Sequence, residues 1–341
     1  MDFALNDEQQ MLLESAQRFF AGKHPLTRAR QALPFADAAQ QTLWQDMADL
    51  GWMALLAPES MNGLGLGLTD AYLVAESAGS QLLNLPWASS AVLLPLWLRS
   101  ADGHAAEGLH ALFEGILAGK KALHCVDASD KLWDFSAQCT DVLVVRGLNS
   151  GQQPLEFALV SAPGSGTVGL DPTVLQSPAE TASLPWHRLD LSTADRAHAR
   201  SAYRLMLCAE LIGAAQAALQ LGASYAKERV QFGKPIGSYQ AIKHQLANAW
   251  MALDNARLSA LYATAAMDGH LSDAKFACAA AEFTAIEGAL QTTRTVIQVH
   301  GGMGFTWEHD AHLYLKRAQR LAARLGGAPK ALAAVAELAV A

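Results

Sequence analysis

Apolar residues recur at helical spacing along most of the chain, interrupted by one stretch of different character. Asn6 or Asp7 is placed to cap a first helix whose inward positions are Met11, Leu12, Ala16, Phe19 and Phe20. The pattern predicts further helices over residues 43–50, stopped by Gly51, over 69–78 and over 105–118. Pro58-Glu59-Ser60-Met61-Asn62-Gly63 reads as a loop between two of them. From about residue 120 to 195 the periodicity changes. Residues 141–145 and 156–160 are short apolar or β-branched runs bounded by Gly, Pro, Ser and Asn, as in a small all-β module with room for about five or six strands. Beyond Ala197 the helices return and are long, over 200–227, 241–268 and 272–299, with a fourth near 309–324. Such helices suit an antiparallel bundle, and their Ala, Leu and Met residues read as core packing. The expectation is an α+β chain, mostly α. It has an N-terminal helical domain over 1–119, a shortened middle β-barrel-like domain over 120–195 and a C-terminal four-helix bundle over 196–341.

Composition narrows the function. With 341 residues the chain has room for two or three domains and a sizeable core. Only 17% of it is charged, which leaves little surface reserved for water and hints at oligomerisation. A net charge of −7 without a basic block argues against nucleic acid or an anionic membrane as partner. The acidic start lacks a signal-peptide pattern. The apolar stretch from Trp87 to Leu98 is only 12 residues and is broken by Ser89, Ser90 and Pro95, too short to cross a bilayer. Cys125, Cys139, Cys208 and Cys278 form no Cys-x-x-Cys pair, so reduced, buried thiols in a cytoplasmic protein are expected.

Several chemistries are set aside. Gly63, Gly65 and Gly67 suggest a nucleotide loop, but Leu68 and Asp70 stand where a dinucleotide fingerprint needs glycine, and no strand precedes them. His309 and His312 have no Glu-x-x-His or Cys partner, so no metal is expected. There is no Gly-x-Ser-x-Gly elbow. Two other stretches remain. Around Arg229-Val230-Gln231-Phe232-Gly233, the breakers Gly233, Pro235 and Gly237 end one long helix, and Gln240 opens the next. An arginine at such a corner can hold phosphate oxygens in a paired contact, and Gln240 can add a directed hydrogen bond. Downstream, Gln298-Val299-His300-Gly301-Gly302 closes another helix, and its glycines let backbone amides approach an anion or an adenosine. Taken singly, each is also what an ordinary solvated arginine or helix cap looks like.

Together the two stretches resemble the acyl-CoA dehydrogenase family. The pattern Arg-x-x-Phe-Gly-x-x-Ile-x-x-Tyr-Gln, followed about 60 residues later by Gln-x-x-Gly-Gly-x-Gly-Phe, is narrow. The likeness extends to Leu50-Gly51-Trp52, Pro58-Glu59 and Gly63-Leu64-Gly65 in the first zone and to Leu170-Asp171-Pro172-Thr173 in the second. The resemblance implies oxidation of an acyl-CoA thioester to a 2,3-enoyl-CoA: a carboxylate removes the α-proton while FAD takes the β-hydride. It also implies an electron-transfer flavoprotein as acceptor and a flavin shared between subunits. The ADP half would be held at Arg229, Gln231, Phe232, Gln240, Gln298, Val299, His300, Gly301 and Gly302.

The catalytic half of the pattern is altered. The family's usual glutamate, counted 24 residues from Gly301, falls on Leu325. Its alternative position, 26 residues before Arg229, falls on Tyr203. Glu210, seven residues beyond Tyr203 and on the same helix face, is the substitute candidate for the base. The segment after Leu123, where the family cradles the flavin ring, is short, with Asp130 echoing its end. Three readings stay open. The chain is a short subunit of an α2β2 enzyme whose longer paralogue supplies base and flavin cradle; or it is a homo-oligomeric dehydrogenase using Glu210; or it is a non-catalytic scaffold or regulatory relative of the same fold.

Overall fold

A computed structural model describes residues 5–101, 104–148 and 153–340. Its helices are α1 (Asp7–Lys23), α2 (Leu26–Ala29), α3 (Ala38–Asp49), α4 (Leu68–Ser80), α5 (Leu94–Leu98), α6 (His104–Leu117), α7 (Thr193–Glu228), α8 (Gln240–Asp268), α9 (Ala274–His300), α10 (Ala311–Arg324) and α11 (Gly327–Ala339). Its strands are β1 (Leu123–Asp127), β2 (Leu132–Asp134), β3 (Asp141–Arg146), β4 (Leu155–Ser161), β5 (Thr167–Val168), β6 (Leu175–Pro178), β7 (His187–Leu189), β8 (Val230–Gln231) and β9 (Lys234–Pro235). The expected class, mostly α with a small β part, is what the chain adopts. It folds into two compact units, one of Met1–Leu26, Tyr72–Leu83 and Arg204–Ala341, the other of Thr27–Ala71 and Asn84–Tyr203.

Side-chain caps set the starts of α1, α3 and α7. Asn6 accepts from the Gln9 amide at 2.8 Å while Gln9 accepts from the Asn6 amide at 3.3 Å, a reciprocal pair that opens α1. Two helices begin earlier than apolar spacing alone suggests, because polar caps set their first turns. Asp37 accepts from the Ala39 amide at 2.8 Å and starts α3 at Ala38 rather than 43. Ser192 accepts from the Asp195 amide at 3.0 Å and starts α7 at Thr193 rather than 200. The C-terminal group gains a fifth helix, α11, which the chain enters through Gly326 and Gly327, both at positive φ.

The second unit holds the middle β structure. β1-β3-β4-β7 form one sheet and β2-β6-β5 another, and among the described residues only the β1–β3 pair is parallel. Among the described residues the unit fits seven strands into this stretch, more than five or six, because several are only two to four residues long. The Trp87–Leu98 stretch is wholly buried, as a π-helical turn over Ser89–Leu93 followed by α5. Its serines have a specific task. Ser90 Oγ accepts from Leu123 N at 2.9 Å and Ser89 Oγ accepts from Cys125 N at 3.1 Å, satisfying β1 on the side away from β3.

The first unit contains the apolar run of α7. Between Arg204 and Lys227 the only formal charge on that helix is Glu210. By length and composition α7 could cross a membrane, but 78% of its apolar window is buried within the protein, as in a core helix. Two glycines let α4 and α7 meet closely. A Cβ at Gly213 would lie 1.9 Å from the Glu76 carbonyl oxygen, and one at Gly79 would lie 2.2 Å from the Glu210 carbonyl oxygen. Several charged side chains inside this unit are paired. Arg257 reaches Glu76 at 2.8 Å, Arg204 grips Glu282 through two 2.6 Å bonds, and Arg317 donates to the Leu83 and Leu82 carbonyls at 3.0 and 3.2 Å. The last pair satisfies the turn that follows α4.

Candidate functional site

The end of α7 and the end of α9 meet in the first unit. After Glu228 the chain makes a tight hairpin, β8 to β9, with Phe232 and Gly233 at positive φ on its tip. The Ile236 amide donates to the Arg229 carbonyl at 2.8 Å, which folds the hairpin's return limb back on α7. Ala226, Ile236 and Val299 form a small buried cluster, with Tyr225, Tyr239, Ile242 and Leu246 packed against it. This apolar contact joins two motifs that lie about 60 residues apart in sequence. Gly301 takes φ 61° and ψ −139°, a conformation open only to glycine, so the chain turns sharply off α9.

The result is a concavity of about 580 Å³ lined by Arg229, Gln231, Phe232, Gln298, Val299, His300, Gly301 and Gly302, together with Tyr225, Ile236, Tyr239, Ile242 and Met303. Eight of the nine residues expected at a cofactor edge therefore share one surface. Gln240 does not line it; it is exposed at the first position of α8. Tyr225, Tyr239 and Met303 were not among the expected residues. Tyr225, in the last turn of α7, precedes Arg229 by four residues, and the Arg229 amide still donates to its carbonyl at 2.9 Å, so helical spacing alone could have indicated it.

The lining is chemically divided. Arg229 is exposed, and its guanidinium has no hydrogen-bond or ion-pair partner among the described residues. A Cβ built on Gly301 or Gly302 meets nothing within 4 Å, so the backbone there is open to a ligand. Tyr225 and His300 form a stacked ring pair, 4.3 Å between centroids. A free cation, an open glycine backbone and an aromatic wall suit a nucleotide diphosphate.

Glu210 lies elsewhere, buried on α7 and outside the concavity. Burial pushes its carboxyl up to about 7, against the pull of Arg317 and Arg320. The two positions at which the family motif carries its base are filled by packing. Leu325 is buried and its carbonyl accepts from Arg204 at 2.6 Å, and Tyr203 is buried as well. His309 and His312 belong to ring contacts: His309 lies 4.4 Å from His300, and His312 stacks on Trp307 at 5.3 Å.

A family profile described as acyl-CoA dehydrogenase, N-terminal domain, matches residues 6–98, and one described as acyl-CoA dehydrogenase, C-terminal domain, matches residues 200–330. Acyl-CoA dehydrogenase IpdE2 of Mycobacterium tuberculosis is 34% identical over 317 residues, covering 92% of this chain and 91% of that protein. The chain belongs to the acyl-CoA dehydrogenase family. It is thus an oxidoreductase of that type, and FAD is the family's cofactor. Among solved structures, the Tcur3481-Tcur3483 steroid ACAD G363A variant has the same fold, with TM-score 0.80 at 24% identity and 98% of each chain covered. The ChsE4-ChsE5 complex from Mycobacterium tuberculosis is similar at TM-score 0.79 and 22% identity, covering 99% of this chain and 98% of that one.

Proposed function

We propose that this chain is one subunit of an FAD-dependent acyl-CoA dehydrogenase and offers its concavity to the ADP half of a flavin whose ring is held by a neighbouring chain. The observation that carries the reading is an imbalance within one molecule. The nucleotide-facing motifs converge on one surface with a free Arg229, while the family's two base positions are Leu325 and Tyr203. Bound FAD supplies the acceptor for the hydride leaving the acyl β-carbon. In this chain, Arg229 would pair with pyrophosphate oxygens and the Gly301-Gly302 backbone would approach the ligand closely. Loss of the α-proton needs a positioned base, and on this reading a longer paralogue provides it in an α2β2 assembly. The two-chain names Tcur3481-Tcur3483 and ChsE4-ChsE5 among its structural neighbours support such an arrangement. A bulky acyl-CoA, such as one with a steroid side chain, is the proposed substrate class. An electron-transfer flavoprotein is the proposed acceptor, and the four buried free cysteines suit a cytoplasmic setting.

Purification alone and after co-expression with a longer paralogue tests the reading. Flavin absorbance and bleaching by acyl-CoA are expected only for the co-expressed pair. Stoichiometric FAD with bleaching by the chain alone would overturn it. One observation favours a second reading, a dehydrogenase that uses its own Glu210: the carboxyl is held at about 7, in the range useful to a base. Glu210→Gln would then abolish turnover of the isolated chain.

A further inference from the structure

His300, the last residue of α9, has Nδ1 2.8 Å from the Val296 carbonyl one turn back. A carbonyl only accepts, so Nδ1 carries the hydrogen and Nε2 is left with a lone pair. Burial and the nearby His309 hold the ring's pKa down, so it is neutral at pH 7. The residue is 4% exposed, and Nε2 is shielded from water with no hydrogen-bond partner. An aromatic hydrocarbon could stack on Tyr225 equally well, whereas a buried acceptor without a donor is unfavourable. The ring nevertheless belongs to the wall of the concavity, with the unpaired cation of Arg229 on the same surface. These two groups ask for opposite things. Arg229 takes phosphate oxygens; a lone pair at Nε2 repels them and takes only a donor.

We infer that His300 Nε2 accepts a hydrogen bond from the nucleoside half of the ligand, from its exocyclic amine or a ribose hydroxyl, and so sets which way round the nucleotide lies. The inference rests on the nucleotide reading of the concavity given above and makes His300 a positioning residue. A donor reaches Nε2 when a neighbouring side chain turns aside. His309, 4.4 Å away between ring centroids, is the neighbour placed to do so. In the shielded pocket the bond formed is stronger than in water.

Calorimetric titration of the full chain, with its partner if one co-purifies, tests this with five probes. They are ADP, inosine 5′-diphosphate (which lacks the amine), 2′-deoxy-ADP, 3′-deoxy-ADP and pyrophosphate. His300→Phe keeps the ring and removes the lone pair. It is expected to weaken ADP about tenfold and leave pyrophosphate unchanged. The analogue lacking the recognised donor should bind wild type and variant equally, which separates amine from hydroxyl. His300→Gln, whose side-chain amide oxygen reaches the position of Nε2 and restores an acceptor there, should recover part of the ADP affinity, a result that a purely structural role would not give. Arg229→Gln should weaken pyrophosphate and ADP alike. ADP affinity unchanged in His300→Phe, or an equal loss for pyrophosphate, overturns the inference and leaves the nucleotide reading intact. If wild type binds neither ADP nor pyrophosphate, both fall.

Discussion

Glu210 shows how environment sets what a residue does. Its carboxyl lies at about 7, against an ordinary 4.5, because burial disfavours the charge more than Arg317 and Arg320 restore it. The folded protein therefore holds this proton more tightly than the unfolded chain. The stabilisation is complete below about pH 4.5 and is lost as pH rises through about 7. Glu210→Gln has a similar shape and never ionises. Its melting temperature is expected to exceed wild type at about pH 8.5, by the equivalent of roughly 1–3 kcal/mol, and to converge with it towards pH 5. Differential scanning calorimetry across that range checks the sign. A variant less stable than wild type at high pH would mean that the arginines outweigh burial. Sequence spacing identified Glu210 as a carboxylate on the helix face of Tyr203; only the packing around it revealed the raised proton affinity.

At the scale of elements, α4 and α7 depend on the absence of side chains where they meet. Gly213→Ala would place a Cβ 1.9 Å from the Glu76 carbonyl, on backbone that cannot yield as a flexible side chain could. A loss of at least about 1–3 kcal/mol is expected from the denaturation midpoint. Gly108→Ala is the matched control. It lies within α6 with no atom within 4 Å of the new Cβ, so it should stabilise by about 0.5–1 kcal/mol. The sequence does not separate these two glycines, since both sit in helical stretches. Their different outcomes depend on which neighbouring helix comes close.

For the whole molecule, large apolar side chains remain on the surface. Phe232 is 88% exposed, Phe305 69%, Trp307 60% and Trp250 58%. Such groups favour burial against another chain. Light scattering at micromolar concentration is expected to give a mass above the 36.3 kDa of one chain. A particle of 36.3 kDa would count against the subunit reading as a whole.

The helical periodicity, the Asn6 cap and the two glycine-punctuated motifs were all legible in the sequence, because each is a local preference of the backbone carried by adjacent residues. Helix starts at Ala38 and Thr193 were less so, since polar caps there lie outside the apolar pattern. The site itself required the tertiary structure. Arg229 and His300 become parts of one surface only when Ala226, Ile236 and Val299 pack together. Gln240, adjacent in sequence, falls outside because helix geometry turns it elsewhere. The sequence by itself determined which family this chain belongs to and which chemistry its motifs suit. Packing decided which of those residues meet, how strongly Glu210 holds its proton and which atom of His300 is left to accept. Those properties arise from burial and from contacts between distant segments, which no local pattern encodes.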